Sequence, residues 1–306
     1  MKKASAILIS VAAILSLDAC SPLDADDSQK SELQAREKRL KQKLSAARQG
    51  GAAVPLAKWI LPAALREVSG LALTDDSRLL AHNDEQSRVY VIDPHRGVAL
   101  KMFVVGQPAI RADFEGITVG PGIIYMVDSN GSVYRFEEGE DREHVRYTLH
   151  DPKLGRECEF EGIAYEPDSA RLLMPCKNVG IKDLKGNLVI YRWRPEKPEE
   201  APTMMAIPFT TLLGPTGLKE LHPSDITVDP ATGNYVLITS PEKVIVEITP
   251  AGQLVQVIRL PGGLRQPEGI AITNDSILIV SDEARKTAAS ISLYRWPIGA
   301  AAGLTR

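Results

Sequence analysis

Apolar positions in this chain come in short runs separated by Gly, Pro, Asp, Asn and Ser. GIIYMVD (Gly122–Asp128), GSVYRF (Gly131–Phe136), SILIVSD (Ser276–Asp282) and SISLYRW (Ser290–Trp296) are examples. Runs this short, rich in Ile, Val, Leu and Tyr and bounded by turn residues, predict strands and tight turns. Beyond residue 51 no stretch carries the longer apolar periodicity of an amphipathic helix. The expectation is an all-β fold.

One phrase organises these strands. LPAALREVSG (Leu61–Gly70) returns as LPGGLRQPEG (Leu260–Gly269), with weaker copies at DFEGI from Asp113, EFEGI from Glu159 and HPSDI from His222. The key dipeptides begin at Ser69, Glu115, Glu161, Ser224 and Glu268, at intervals of 46, 46, 63 and 44 residues. A period of that length marks one stacked supersecondary unit. Each unit holds four short antiparallel strands, the make-up of a propeller blade. The pattern therefore predicts a five-bladed β-propeller. Six blades is the competing count, because the enlarged interval, with its Arg194–Pro202 and Leu212–Pro223 segments, has room for a degenerate blade. The last repeat runs out of chain after its third strand, and residues 55–61 precede the first copy of the phrase. They are expected to supply the outer strand that closes the final blade and removes a raw sheet edge.

The amino terminus is of another kind. Met1-Lys2-Lys3 is basic, Ala4–Leu17 is apolar, and Leu17-Asp-Ala-Cys20 resembles a bacterial lipobox, although Asp18 departs from its usual small or apolar residue. Residues 1–19 are expected to be a lipoprotein signal peptide, not structure, and Cys20 the lipidated first residue of the mature chain. Ser21 in place of Asp favours the outer membrane, facing the periplasm, by resemblance to enterobacterial sorting. Residues 20–51 are then a charged helical or flexible tether, in which Leu33, Leu40 and Leu44 are too few to predict a partner, and residues 52–306 the propeller. In an exported chain the remaining pair, Cys158 and Cys176, is expected to form a disulfide: a hairpin turning near Pro167-Asp168 sets the two opposite each other.

Charge excludes one class of partner. The 306 residues carry a net charge of −3 with both signs interspersed, so nothing points to nucleic acid. An aromatic content of 5% speaks against a carbohydrate platform of stacked rings. No G-x-S-x-G elbow, P-loop or G-x-G-x-x-G occurs. Asp128-Ser129-Asn130-Gly131 opens like a calcium loop, but no acidic residue closes it, and a hairpin turn is the better reading. Of the five His, only His82 and His222 fall near the expected channel.

The first strand of a propeller blade lines the central channel, so Ser69, Glu115, Glu161, Ser224 and Glu268 should form a ring about one axis. Three convergent carboxylates repel each other and hold their protons unless a cation neutralises them. The second strands end near the same mouth, bringing Asn83, Asp84, Asp128, Lys177 and Asp282, with Asp225 beside the ring. Oxygen donors without thiolate or clustered imidazole suit calcium or magnesium. The expected metal ligands are Glu115, Glu161, Glu268, Asp128 and Asp282, with Asn83, Asp84, Asp225 and Lys177 at the channel mouth. Two other readings stay open: the repeated Glu latches neighbouring blades through backbone N–H groups, or Lys177 neutralises Glu161 directly.

VSGLAL, FEGITV, FEGIAY, PSDITV and PEGIAI, together with HNDEQSRVYVID (His82–Asp93) and IVSDEA (Ile279–Ala284), resemble the SdiA-regulated family of bacterial exported propellers, distantly related to NHL-repeat proteins. The resemblance spans about residues 60–296. It implies a five-bladed propeller and a calcium-type cation site, and no particular reaction. Two functions are expected to compete. One is a monomeric periplasmic binding module, anchored in the membrane by Cys20, that takes a protein or small-molecule ligand at a propeller face. The other is a metal-dependent hydrolase of lactonase or esterase/phytase type, with Glu115 or Asp282 as base beside a channel-bound divalent cation.

Overall fold

A computed structural model describes residues 22–214, 216–284 and 288–299. Its strands form five antiparallel sheets, each contributing one blade. The first contains Val68–Leu73, Leu79–Asn83, Arg88–Asp93 and Val98–Val105. The second contains Phe114–Gly120, Ile123–Asp128, Val133–Phe136 and Tyr147–His150. The fourth runs Pro223–Val228, Tyr235–Thr239, Val244–Ile248 and Leu254–Arg259. Five blades is thus the count.

The third blade shows why six fails. Its strands Arg171–Val179, Asn187–Trp193 and Thr203–Pro208 pair in sequence order, and the extra length beyond them folds into the short helix Phe209–Leu213. That helix buries Leu212 and Leu213, with Leu221, against Tyr235, Leu237 and Val246 of the fourth blade. The insertion fills a seam between sheets and makes no sheet of its own. The inner strand of this blade is broken into Cys158–Phe160 and Ala164–Glu166, both paired with Arg171–Val179.

The ring closes as expected. Ala57–Ile60 pairs antiparallel with Ser290–Arg295, placing Ala57 opposite Leu293 and Trp59 opposite Ile291. The final blade is completed by Ile277–Asp282 and Pro267–Ile272. One feature departs from the expected blade plan: His144–Val145 leaves the second blade and runs parallel to the outer strand of the first, Val104 facing His144. Aliphatic clusters fill the seams between neighbouring blades; Leu71, Leu79 and Ala81 of the first blade meet Ile277, Ile279 and Ile291 of the last. Buried β-branched residues dominate these strands, as suits sheets covered on both faces.

The amino-terminal helix, Pro22–Ala46, corrects one expectation. Leu40 is 2% exposed and belongs to the same cluster as Leu56, Leu61 and Leu293. The Arg36 guanidinium lies over Trp59, 5.8 Å from its centroid, and Arg96 of the first blade pairs with Glu37 at 2.9 Å. One buried leucine and two polar clamps are enough to seat a charged helix on the closing strand. The signal segment and Cys20 lie outside the described residues.

Candidate functional site

A β-bulge marks the start of the inner strands. The register shifts between Val68 and Gly70, Phe114 and Gly116, Pro223 and Asp225, and Pro267 and Ile270. Ser69, Glu115, Ser224 and Glu268 occupy those bulges; Glu161 occupies the gap in the third blade's inner strand. A bulge leaves its extra residue out of the ladder and re-aims its side chain. Repetition of this irregularity is what sets the ring apart from an ordinary strand surface.

Within the ring each carboxylate meets a protein group. The Ser69 hydroxyl of the first blade donates to Glu115 Oε2 of the second at 3.2 Å. Ser224 of the fourth blade makes the equivalent bond to Glu268 of the fifth. Glu161 is paired with the Lys177 ammonium, which also acts on Glu268 and Glu115 through its charge. Lys177 thus sits where a bound cation was expected.

Burial pushes the Glu115 carboxyl up to about 9, helped by repulsion from Glu161 and Asp113. Burial also raises Glu161, to about 7, against the pull of Lys177. Glu268 is raised by burial too, opposed by Gln266, Lys177 and Ser224. Burial and the neighbouring carboxylates thus favour the protonated form of Glu115.

Just inside the ring the channel is closed. Four blades carry glycine after the ring residue (Gly70, Gly116, Gly162, Gly269), and the fourth blade carries Asp225. Its fully buried carboxylate accepts the N–H of Ile226 at 2.8 Å and of Ile270 at 2.9 Å. The amides of Leu71 and Ile163 also hydrogen-bond to it, so one side chain ties together the inner strands of four blades. Burial holds this carboxyl well above its ordinary range and the four amides oppose that shift. The neighbouring glycines are needed: a Cβ on Gly162, whose φ is +89°, would lie 2.7 Å from Asp225 Oδ1.

The remaining expected residues are dispersed. Asp128 Oδ1 caps a turn, accepting the N–H of Asn130 at 3.0 Å and of Ser132 at 2.9 Å, which fits the hairpin reading of that tetrapeptide. Asp282 Oδ1 accepts the N–H of Arg265 and of Gln266, both at 2.7 Å. Asn83 Oδ1 accepts the Gln86 N–H at 3.2 Å. Asp84 has a buried oxygen without a partner, and burial, then Glu67 and Glu85, raise its carboxyl. His222 faces Glu242 at 2.7 Å. Among the described residues no group of three or more His, Cys, Asp or Glu is arranged to hold a metal. The oxygens the ring could offer a cation are those of Glu115, Glu161 and Glu268 with the hydroxyls of Ser69 and Ser224, and the Lys177 ammonium competes for Glu161.

Cys158 and Cys176 form a disulfide, their Cα atoms 5.4 Å apart. The facing residue of Cys176 is Phe160, not Cys158, because the register slips after Glu159. The disulfide therefore spans the bulge beside Glu161 diagonally. Sequence reasoning placed Asp225 only at the mouth and missed it as a plug. The signal was present: it is the one non-glycine at its position in the repeated phrase.

Comparison with known proteins agrees with this architecture. Residues 213–295 match the SdiA-regulated family. That stretch covers the fourth blade and the three strands of the fifth that follow it in the chain, and bears out the resemblance read from the repeats. No curated protein matches the chain. Among solved structures it is similar to a glutaminyl cyclase from Myxococcus xanthus, at 12% identity over 79% of this chain and 95% of that one, with a TM-score of 0.55. The PQQ-bound aldose sugar dehydrogenase from Streptomyces coelicolor is similar at 13% identity over 78% and 98%, with a TM-score of 0.51. A luciferin-regenerating enzyme is similar at 10% identity over 82% and 99%, with a TM-score of 0.50. At these identities the likeness is one of fold, and function rests on the site itself.

Proposed function

We propose that this chain is a binding module of the bacterial cell envelope, anchored in the outer membrane by a lipid on Cys20, facing the periplasm and taking its ligand at a propeller face. The observation that carries this reading is the closed axis. Asp225 ties the inner strands of four blades together directly behind the glutamate ring, which leaves the faces of the propeller, and not a through-channel, to meet a ligand.

The rim of that mouth carries both signs. Glu67, Asp113 and Glu159 precede the ring residues, and Arg66, Arg111, Arg156 and Arg265 stand exposed beside them in sequence. A rim of mixed charge around a neutralised centre supports orientation of a partner more than tight capture of one ion. The calcium ion implied by the family resemblance would have to displace the Lys177 ammonium and strip the proton from Glu115. A hydrolase drawing on Glu115 as base has little support: its carboxyl holds its proton to about 9, and Asp282 is occupied by two backbone amides.

Metal analysis of the purified soluble domain, thermal melts with chelator or added calcium, and a panel of lactones and phosphoesters test the proposal together. The expected results are sub-stoichiometric metal, melting indifferent to calcium and no turnover. Turnover abolished by Glu115→Gln or Glu161→Gln would replace the binding reading with the hydrolase. Stoichiometric calcium lost in the same variants would restore the cation site.

A further inference from the structure

The helix Pro22–Ala46 and the closing strand Ala57–Ile60 leave a groove between them, with a volume of about 580 Å³. Four cations line it: Arg36, Arg39 and Lys43 from the helix and Lys58 from the strand. None of its described lining residues carries a carboxylate. Taking the membrane anchoring proposed above as given, we infer that this groove docks anionic phospholipid headgroups of that membrane and so lays the helix along its surface.

Helical spacing builds the cationic wall. Residues 36, 39, 40 and 43 stand three and four positions apart and share a face, on which Leu40 turns into the core. On the strand exposure alternates, so Lys58 and Ile60 both face outward. Arg36 is held by Glu32 at 2.6 Å and lies over Trp59. The Glu37 carboxylate beside it is taken by Lys41 and Arg96. Arg39, Lys43 and Lys58 are exposed, and among the described residues none of the three has a carboxylate within ion-pair distance. Unpaired cations gathered in one groove repel each other, and an anion there relieves the repulsion.

Charge complementarity and one apolar side chain select the occupant. Leu40 and Leu56 are buried beneath the groove, so the large apolar side chain on offer is Ile60, which is 63% exposed. A phosphodiester meets the cations while the start of an acyl chain covers Ile60; a free anion would leave Ile60 in water. Basic side chains around an exposed apolar one are the make-up of a surface that lies on a bilayer. Charge is also segregated along the helix. Asp24, Asp26 and Asp27 stand near its start, whereas Arg36, Lys38, Arg39, Lys41 and Lys43 crowd its second half. At 1.5 Å per residue Arg36 stands about 21 Å along the axis from Pro22. An anchor at Cys20 and an anionic surface at the groove would therefore hold the helix at two separate points.

The test uses residues 22–306, which hold the closed ring and the helix but neither Cys20 nor the segment before it, so attachment by a lipid plays no part. They should sediment with vesicles of phosphatidylcholine and phosphatidylglycerol in equal parts, not with phosphatidylcholine alone, and added salt should release them. Arg39→Gln, Lys43→Gln and Lys58→Gln together should weaken that binding about a hundredfold. Lys182→Gln, Lys185→Gln and Lys219→Gln remove as much charge from exposed positions elsewhere on the propeller and should leave it unchanged. Ile60→Ser should also weaken it, by less than the triple change in the groove. Failure to bind either vesicle, equal binding to both, or equal loss in the two triple variants would each overturn the inference. So would Ile60→Ser binding as wild type does, the mark of a site for anions at large. Tighter binding to polyglutamate, lost in the same groove variant, would assign the groove to an acidic protein instead. Mass spectrometry of Cys20 in the full chain decides the anchor separately: an unlipidated Cys20 with intact vesicle binding strikes the anchor alone, and a lipidated Cys20 without vesicle binding strikes the groove alone.

Discussion

Asp225 and Ile270 meet across the propeller axis, the carboxylate of one blade accepting the amide of the next at 2.9 Å. With the amides of Leu71, Ile163 and Ile226 on the same carboxylate, this bond makes Asp225 a hub for inner strands that share no sheet. Asp225→Ala leaves several buried N–H groups without an acceptor. The expected cost is roughly 3 kcal/mol, or a melting point lower by about 6–12 °C. Asp225→Asn keeps one carbonyl acceptor and should fall between. Calorimetry decides, and a variant as stable as wild type would remove the hub.

Glu115 should make the protein less stable in alkali. The unfolded chain gives up this proton near 4.5, the native ring holds it to about 9, and the native form therefore binds the extra proton throughout that interval. Stability is greatest below the lower value and is lost as pH rises through the upper one. Solvent reaches the mouth, so about 2 kcal/mol is a fair expectation, well short of the full shift. Melting temperature against pH should fall less steeply in Glu115→Gln.

His82 acts with the opposite sign. Its Nδ1 bonds to the Asn83 carbonyl at 2.9 Å, so that nitrogen carries the proton and Nε2 is a bare lone pair. Nε2 is buried without a partner, beside Gly70 and the edge of Phe114. Burial depresses the imidazole to about 4 from 6.5. The unfolded chain takes up this proton first, and stability is lost as pH falls between those values. His82→Leu, compared with wild type at pH 7 and pH 5, should lose less on acidification. Equal losses would place the acid sensitivity elsewhere.

How much of this was legible depends on which residues carry the information. The five blades were readable because the ring residue and its neighbours recur, and Ala57–Ile60 as closing strand because residues 55–61 precede the first copy of the phrase just as the strand Leu254–Arg259 precedes the last. The role of Lys177 was not settled, since strand endings place it near the mouth without saying which carboxylate it reaches. Asp128 and Asp282 were grouped with the glutamates by position, yet backbone N–H groups two to four residues along, or in the preceding loop, claimed them first. Leu40 was discounted because the apolar positions of its helix are few; one fully buried leucine with two flanking arginine contacts proved sufficient.

Reduction should weaken the third blade. The disulfide closes a loop of sequence separation 18, and a loop of that size contributes about 3 kcal/mol through the unfolded chain. It also stands beside the bulge that positions Glu161, where the ladder to Arg171–Val179 is interrupted. Cys158→Ser with Cys176→Ser should lower the melting point by roughly 6–12 °C. A reductant acting on wild type should reproduce the change, and should do nothing to the double variant.

The docked helix sets how the propeller is held. At 1.5 Å per residue its 25 residues span about 37 Å, and it begins at Pro22, two positions after Cys20. Leu40 in the core, Arg36 over Trp59 and Glu37 on Arg96 bind it to the closing strand and the first blade. A lipid on Cys20 would then restrain the orientation of the ring, which a free tether would not. Leu40→Asp places a charge where 2% of the residue is exposed and should release the helix at a cost of about 3 kcal/mol. Trypsin reads the difference, because cleavage after Arg36, Arg39, Lys41 or Lys43 needs the helical backbone to unwind, which docking opposes. Wild type should be cut slowly within the helix and Leu40→Asp many times faster. Equal rates would mean that the helix swings free of the propeller and that the lipid sets no orientation.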